Sequence, residues 1–182
     1  MSDVIPGDEN LMQAVGKGDL HAFEEIVRRY QQTAWKMAYR FLGEHHETED
    51  VVQDAFLKIL DAAPRYRPTA SFSTYLYCVV SRLCLDRSRK RRLHYTDELP
   101  DVPDPGPNAV ELAVGWERHR AVRDALNALP AKQRMAIVLQ YYEELGYAEI
   151  AQALATTEKA VERLLARGRE GLRGLLGEWI KK

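Results

Sequence analysis

Four of the eight prolines stand between Pro100 and Pro107, and this cluster divides the chain. Proline removes a backbone donor and blocks a helix interior, so no helix runs through it. Gly106 and the acids Glu98, Asp101 and Asp104 share the stretch, and residues 96–108 therefore read as a linker. The other prolines are Pro6, Pro64, Pro68 and Pro130, which leaves long segments on both sides free of breakers. In them apolar residues recur at helical spacing: Phe23, Ile26, Val27, Tyr30, Ala34, Met37, Ala38 and Phe41 in one, then Val51, Val52, Ala55, Phe56, Ile59 and Leu60, then Phe72, Tyr75, Leu76, Val79, Val80 and Leu83. The expected fold is all-α. Two small helical domains, 1–95 and 109–182, are joined by the Pro-rich acidic linker. Fully extended, residues 96–107 span at most ~40 Å, more than the ~34 Å of one DNA turn, so domains joined in this way can touch separate sites on one duplex.

Local signals set the expected helix ends. Asn10 is a cap for a short helix ended by Gly16 and Gly18, and Asp19 caps a longer one stopped by Gly43. Thr48 or the nearby acids open a helix over 49–62. A long helix follows the loop around Pro64 and Pro68. In the second half a helix spans 109–129, another runs from Pro130 to about Leu145, and a short one covers 147–155. Thr156-Thr157 then caps a last helix whose buried side holds Val161, Leu164, Leu165, Gly168, Leu172 and Leu175. A short helix, a tight turn and a longer helix form a helix-turn-helix pattern, whose second helix enters a major groove. Its outward residues near the start are Thr157, Glu158, Lys159, Glu162, Arg163 and Arg167. Arg163 has the geometry for guanine, and Lys159 and Arg167 suit phosphates. An ordinary helical hairpin has the same pattern.

Charge is segregated, although the formal net charge is only -1. Residues 44–61 hold Glu44, Glu47, Glu49, Asp50, Asp54 and Asp61 against Lys58 alone. Glu47, Asp50, Asp54 and Asp61 fall opposite the apolar face of their helix, with Gln53 beside them. Taken alone, this is either a solvated face with acids near a helix start or a docking stripe for a basic partner. Residues 87–92 carry five cations in six positions. Upstream, Tyr66, Phe72, Tyr75 and Tyr77 stand among Arg65 and Arg67. Aromatics that stack on unpaired bases, beside cations that hold phosphates, suit a single-strand surface. An amphipathic core helix with a basic solvated end fits the same residues.

Other classes find less support. The adjacent His45 and His46 lack a second spaced pair of ligands, so no metal site or cofactor is expected. No Gly-rich phosphate loop or nucleophile–base pair is apparent, and the chain reads as a non-enzyme. Cys78 and Cys84 point in different directions on one helix and should not pair, which suits a reducing compartment. No signal peptide is visible, and no segment approaches the ~18 apolar residues of a membrane span. A cytoplasmic protein with no membrane insertion is expected.

The segments ETEDVVQDAFLKIL at 47–60, RYRPTASFSTYLYCVVSRLCLDRSRKRR at 65–92 and LPAKQRMAIVLQYYEELGYAEIAQALATTEKAVERLLARGREGLRGLL at 129–176 stand in a telling order. Over roughly residues 10–176 the chain resembles the extracytoplasmic-function (ECF) sigma factors, promoter-specificity subunits of bacterial RNA polymerase. The resemblance implies a sigma region two over 1–95 and a sigma region four over 109–182. It implies that Glu49, Asp50, Gln53, Asp54 and Phe56 meet core RNA polymerase. It also implies that Arg67, Phe72, Tyr75, Tyr77, Arg82, Arg87, Arg89, Lys90, Arg91 and Arg92 meet the minus-ten promoter DNA as it opens. The helix-turn-helix residues named above would read the minus-thirty-five element, and an anti-sigma factor would hold the protein inactive. The chain departs from the family pattern at Tyr75, where Trp is frequent, at Ala155, where Gly is frequent, and at Glu162 and Leu164, where basic residues are frequent. A stand-alone helix-turn-helix regulator and a sigma-like adaptor are the alternatives. The first leaves the acidic helix without a role, and the second leaves the 87–92 cations without one.

Overall fold

The computed structural model describes residues 7–94 and 120–177, and within these every regular element is helical. The expected linker, residues 109–119 of the helix expected over 109–129, and the Arg92 side chain lie outside what is described. Helices α1 (Asp8–Gly16), α2 (Leu20–Leu42), α3 (His45–Ala62) and α4 (Phe72–His94) form the first group, with a 3-10 turn at Ala63–Arg65 between α3 and α4. The second group is α5, described over 120–128, with α6 (Ala131–Tyr141), α7 (Tyr147–Ala153) and α8 (Glu158–Leu176).

Several ends follow from local chemistry. The Asp19 carboxylate accepts from the amides of His21 at 2.9 Å and Ala22 at 3.1 Å, satisfying donors that α2 itself cannot pair. Gly43 ends α2 with φ 74, a left-handed conformation that glycine adopts without a Cβ penalty. Ser71 Oγ accepts from the Thr74 amide at the start of α4, and Thr157 Oγ1 accepts from the Ala160 amide at the start of α8.

Other ends differ from expectation. Helix α1 begins at Asp8 after Gly7, so Asn10 lies inside it. Asp8 both favours the helix start and anchors it, accepting from Arg29 Nη1 at 2.9 Å and Tyr30 Oη at 2.5 Å on α2. Helix α3 begins at His45, capped by Glu44, whose carboxylate accepts from the amides of His46 and Glu47. Thr48 is no cap. It is buried, and its hydroxyl donates to the Glu44 carbonyl at 2.6 Å. Helix α6 stops at Tyr141 rather than near Leu145, because Glu144 turns left-handed with φ 55 and the Leu145 amide folds back onto the Leu139 carbonyl.

Met37, Ala38 and Phe41 of α2, Val51, Ala55 and Ile59 of α3, and Leu76 and Val80 of α4 meet in the first core. Met135, Val138 and Leu139 of α6, Ile150 of α7, and Val161 and Leu165 of α8 continue the same buried cluster through the second group. The two groups also touch: α6 packs on α2 and α4, and α7 packs on α4. Gly168 sets how closely α8 approaches α6, since a Cβ there would lie 2.9 Å from Ile137 Cγ1, whereas one on Gly174 would meet nothing within 4 Å.

Identical substitutions in α8 should therefore have opposite signs. Gly174→Ala should stabilise the protein by up to ~1 kcal/mol through helix propensity. Gly168→Ala should destabilise it by about 1–2 kcal/mol through overpacking. Urea unfolding of both variants checks this, and a gain for Gly168→Ala would contradict the packing described.

Candidate protein-docking and nucleic-acid interface

Helix α3 buries Val51, Ala55, Phe56 and Ile59. With about 100° between successive residues, the opposite side must face outward. Glu49, Asp50, Gln53, Asp54, Lys58 and Asp61 are all exposed there. Leu57 is also exposed, at 51 %, an apolar side chain set among carboxylates that sequence reasoning did not single out. Phe56 faces the core and is removed from the outward face by its position on the helix. Glu47 leaves the stripe too: it turns toward α4 and lies 3.6 Å from Arg91. Glu49 is reached by His45 at 3.4 Å and His46 at 3.8 Å. His45 also packs edge-on against Trp35. Among the described residues no group of three or more His, Cys, Asp or Glu is placed to hold a metal.

The core sets α4 beside α3, and this brings the two charged segments together. Arg87 Nη2 donates to Asp50 Oδ2 at 2.7 Å, although Asp50 stays 63 % exposed. Arg89 pairs along its own helix with Asp86 at 2.8 Å. Arg82, Arg89 and Lys90 are exposed, and Arg87 and Arg91 are half-buried. The acidic stripe and the cationic end are thus neighbouring faces joined along one edge.

The aromatic residues divide between core and rim. Phe72 is buried against Tyr30, with ring centroids 4.8 Å apart, and is unavailable for base contact in this arrangement. It sits in the first turn of α4, where the inward stripe begins. Tyr77 is also buried, and its hydroxyl donates to Glu143 Oε2 at 3.1 Å. Burial, and then the Glu143 charge, push the Tyr77 phenol well above its ordinary pKa, so it stays neutral as a donor. Tyr75 is half-buried beside Tyr66, with centroids 5.2 Å apart, and Arg67 is exposed on the preceding loop. Tyr66, Tyr75 and Arg67 form the accessible rim. Cys84 is fully buried, and that burial raises its thiol pKa. Cys78 is half-buried and raised for the same reason.

The helix-turn-helix is formed by α7 and α8. Ala155 takes the left-handed conformation of the turn, with φ 48, although it carries a Cβ. The amides of Ala155 and Thr156 donate to the carbonyls of Gln152 and Ala151 and close the end of α7. Thr157, Glu158, Lys159, Glu162, Arg163 and Arg167 are all exposed, since Val161, Leu165 and Gly168 take the inward positions of α8.

Comparison with known proteins agrees with this architecture. Sigma-70 region 2 matches residues 26–94, and Sigma-70 region 4 matches residues 119–172. The chain is 32% identical over 173 residues to the ECF RNA polymerase sigma factor SigW of Bacillus subtilis (strain 168), covering 89% of this chain and 92% of that protein. The solved structure of CnrH in complex with the cytosolic domain of CnrY matches with TM-score 0.71 and 26% identity, over 94% of this chain and 97% of that one. The fold is also that of the sigma factor RpoE from Bartonella quintana, solved with the anti-sigma factor NepR, at TM-score 0.67 and 20% identity, over 85% of this chain and 96% of that one. Two all-helical domains carrying regions two and four make the chain a sigma factor of RNA polymerase, and it belongs to the extracytoplasmic-function family.

The Asp50–Arg87 pair is exposed enough for solvent to screen it. A double-mutant cycle with Asp50→Ala and Arg87→Ala, read by urea unfolding, should give a coupling of ~0.2–1 kcal/mol that shrinks with added salt. A salt-independent coupling would contradict a solvent-exposed pair.

Proposed function

We propose that this sigma factor docks on core RNA polymerase through the outward face of α3 and captures promoter DNA with α4, the loop before it and α8. The carrying observation is the α3 face, where Asp50, Gln53, Asp54 and Asp61 surround the exposed Leu57 beside the cations of α4. An exposed leucine ringed by carboxylates suits a partner helix with apolar and basic side chains, and a stand-alone DNA-binding regulator gives it no role. Residues 1–95 would then act as the polymerase and minus-ten unit, 96–108 as the connector and 109–182 as the minus-thirty-five unit.

Binding energy suffices for the work, and no bond is made or broken by the protein. Opening duplex DNA costs on average ~1.4 kcal/mol of stacking per step. Each base stacked on an aromatic returns ~1–3 kcal/mol. Tyr66 and Tyr75, with phosphates held by Arg67, Arg82, Arg89 and Lys90, can offset the opening of a few steps. On α8, Arg163 would read a base edge and Lys159 and Arg167 would hold phosphates. The cytoplasm, where polymerase and chromosome meet, is the proposed place of action. An anti-sigma factor is the proposed inhibitor; the RpoE–NepR structure supports this by showing the fold held by such a partner.

Transcription from purified core polymerase plus this protein tests the reading, together with separate binding assays. Asp54→Ala should weaken core binding about tenfold, equivalent to ~1.4 kcal/mol, and leave the salt dependence of DNA binding unchanged. Lys90→Ala should leave core binding intact and lower the salt slope of promoter binding by about one. Absence of promoter-dependent transcript with the unaltered protein, or equal effects of both substitutions in both assays, would contradict the proposal.

A further inference from the structure

Helix α8 exposes the cations Lys159, Arg163 and Arg167, and a carboxylate, Glu162, stands among them. The other early acid, Glu158, lies in the first turn, where a negative charge answers the helix dipole. Glu162 is beyond that turn. It follows Glu158 by one turn, so two like charges share a flank and destabilise the helix slightly. Among the described residues no ion pair or hydrogen bond holds its side chain. Arg169, two turns on, donates instead to the hydroxyls of Tyr141 and Tyr147. A phosphate beside the Glu162 carboxylate is repelled, so this residue opposes the backbone attraction that its neighbours supply.

The backbone that carries Glu162 is nevertheless firmly held. Val161 and Leu165 are fully buried, and Thr157 caps the helix through the Ala160 amide. The Glu162 side chain leaves from the second turn of α8, within the part of a recognition helix that enters a major groove. About 100° around the helix separates it from Arg163, so the two side chains address different base edges. Ala166, one turn on along the same flank, is exposed and small and leaves that flank low.

We propose that Glu162 is a specificity-determining residue that selects a cytosine in the minus-thirty-five element by accepting a hydrogen bond from its N4 amino group. This rests on the assignment of α8 to that element. The choice of base follows from what each one presents in the major groove. Guanine shows two acceptors, N7 and O6, and both repel a carboxylate. Thymine shows O4, again an acceptor, beside a methyl group. Adenine offers the N6 amino group but sets its N7 acceptor next to it. Cytosine offers an amino group with no acceptor of its own beside it. The carboxylate thus favours one base and opposes the other three, which lowers overall affinity while raising selectivity.

The test uses holoenzyme assembled from core polymerase and the full chain. Binders are selected from duplexes randomised over the minus-thirty-five region of a promoter it transcribes, and sequencing gives the preference at each position. The unaltered protein should favour cytosine over thymine about tenfold at one position. Glu162→Ala should bring that ratio to within about twofold, keep the preferences at other positions, and tighten binding to duplexes that lack the cytosine. Glu162→Arg should move the preference at the same position to guanine and raise the salt slope of binding by about one. No cytosine-favouring position, or a ratio that Glu162→Ala leaves intact, would overturn the proposal. So would a loss of preference at all positions alike, which is what a merely structural role gives. If the unaltered holoenzyme makes no promoter-dependent transcript, the sigma assignment fails and this inference with it. A normal transcript with selection indifferent to Glu162 overturns this inference alone.

Discussion

Everything on the outside of the first domain depends on one act of burial. Phe41 and Met37 from α2, Ile59 and Ala55 from α3, and Leu76 and Val80 from α4 are excluded from water together. Each large side chain contributes roughly 1.5–3 kcal/mol, whereas the Asp50–Arg87 pair contributes at most about 1 kcal/mol. The apolar contacts therefore set how each helix is turned, and the charges take the positions that remain. Once Val51, Ala55 and Ile59 point inward, Asp50, Gln53, Asp54, Leu57 and Asp61 have to face solvent. Once Leu76, Val80 and Cys84 point inward, Arg82 and the later cations lie along the neighbouring edge.

That adjacency has a functional consequence. The protein is nearly neutral overall, so nonspecific attraction to DNA is weak, and the cations of α4 face carboxylates at Asp50 and Glu47. Phosphates that approach Arg87 or Arg91 must compete with these internal partners. In the proposed function, docking on a larger machine through α3 would occupy the same carboxylates and supply affinity that the nearly neutral subunit lacks. In this account, protein docking and strand capture are linked through a shared edge, and Leu57 supplies the apolar contact that charges alone do not give.

Much of this was legible in the chain because it is local. The caps at Asp19 and Thr157 and the stop at Gly43 follow from one residue and its nearest amides. The proline cluster lies outside the described residues, between the helical groups of 7–94 and 120–177. The errors are of two kinds. Asn10 is a good cap in isolation, but Asp8 is held by Arg29 and Tyr30 and starts the helix earlier; of the two options at the start of α3, Thr48 or a nearby acid, the longer-armed Glu44 reaches two amides and takes the cap. Phe56, Phe72 and Tyr77 match positions of a functional motif, yet helical phase places the first two in the core and the second domain covers the third. The partners of Glu143 could not be read at all. Arg40 and Tyr77 lie more than sixty residues away, and no periodicity or spacing signals a pairing made only when two domains meet.

In the proposed function α3 meets polymerase, and the rim before and along α4 meets separated DNA strands. Side-chain hydroxyl-radical footprinting of the full protein tests this directly, first with core polymerase and then with a melted promoter fragment added. Core polymerase alone should protect Leu57 and leave Tyr66 and Tyr75 reactive, and the opened DNA should then protect both tyrosines. Protection of Tyr66 and Tyr75 by core polymerase without DNA, or a Leu57 that stays reactive in the complex, would contradict it.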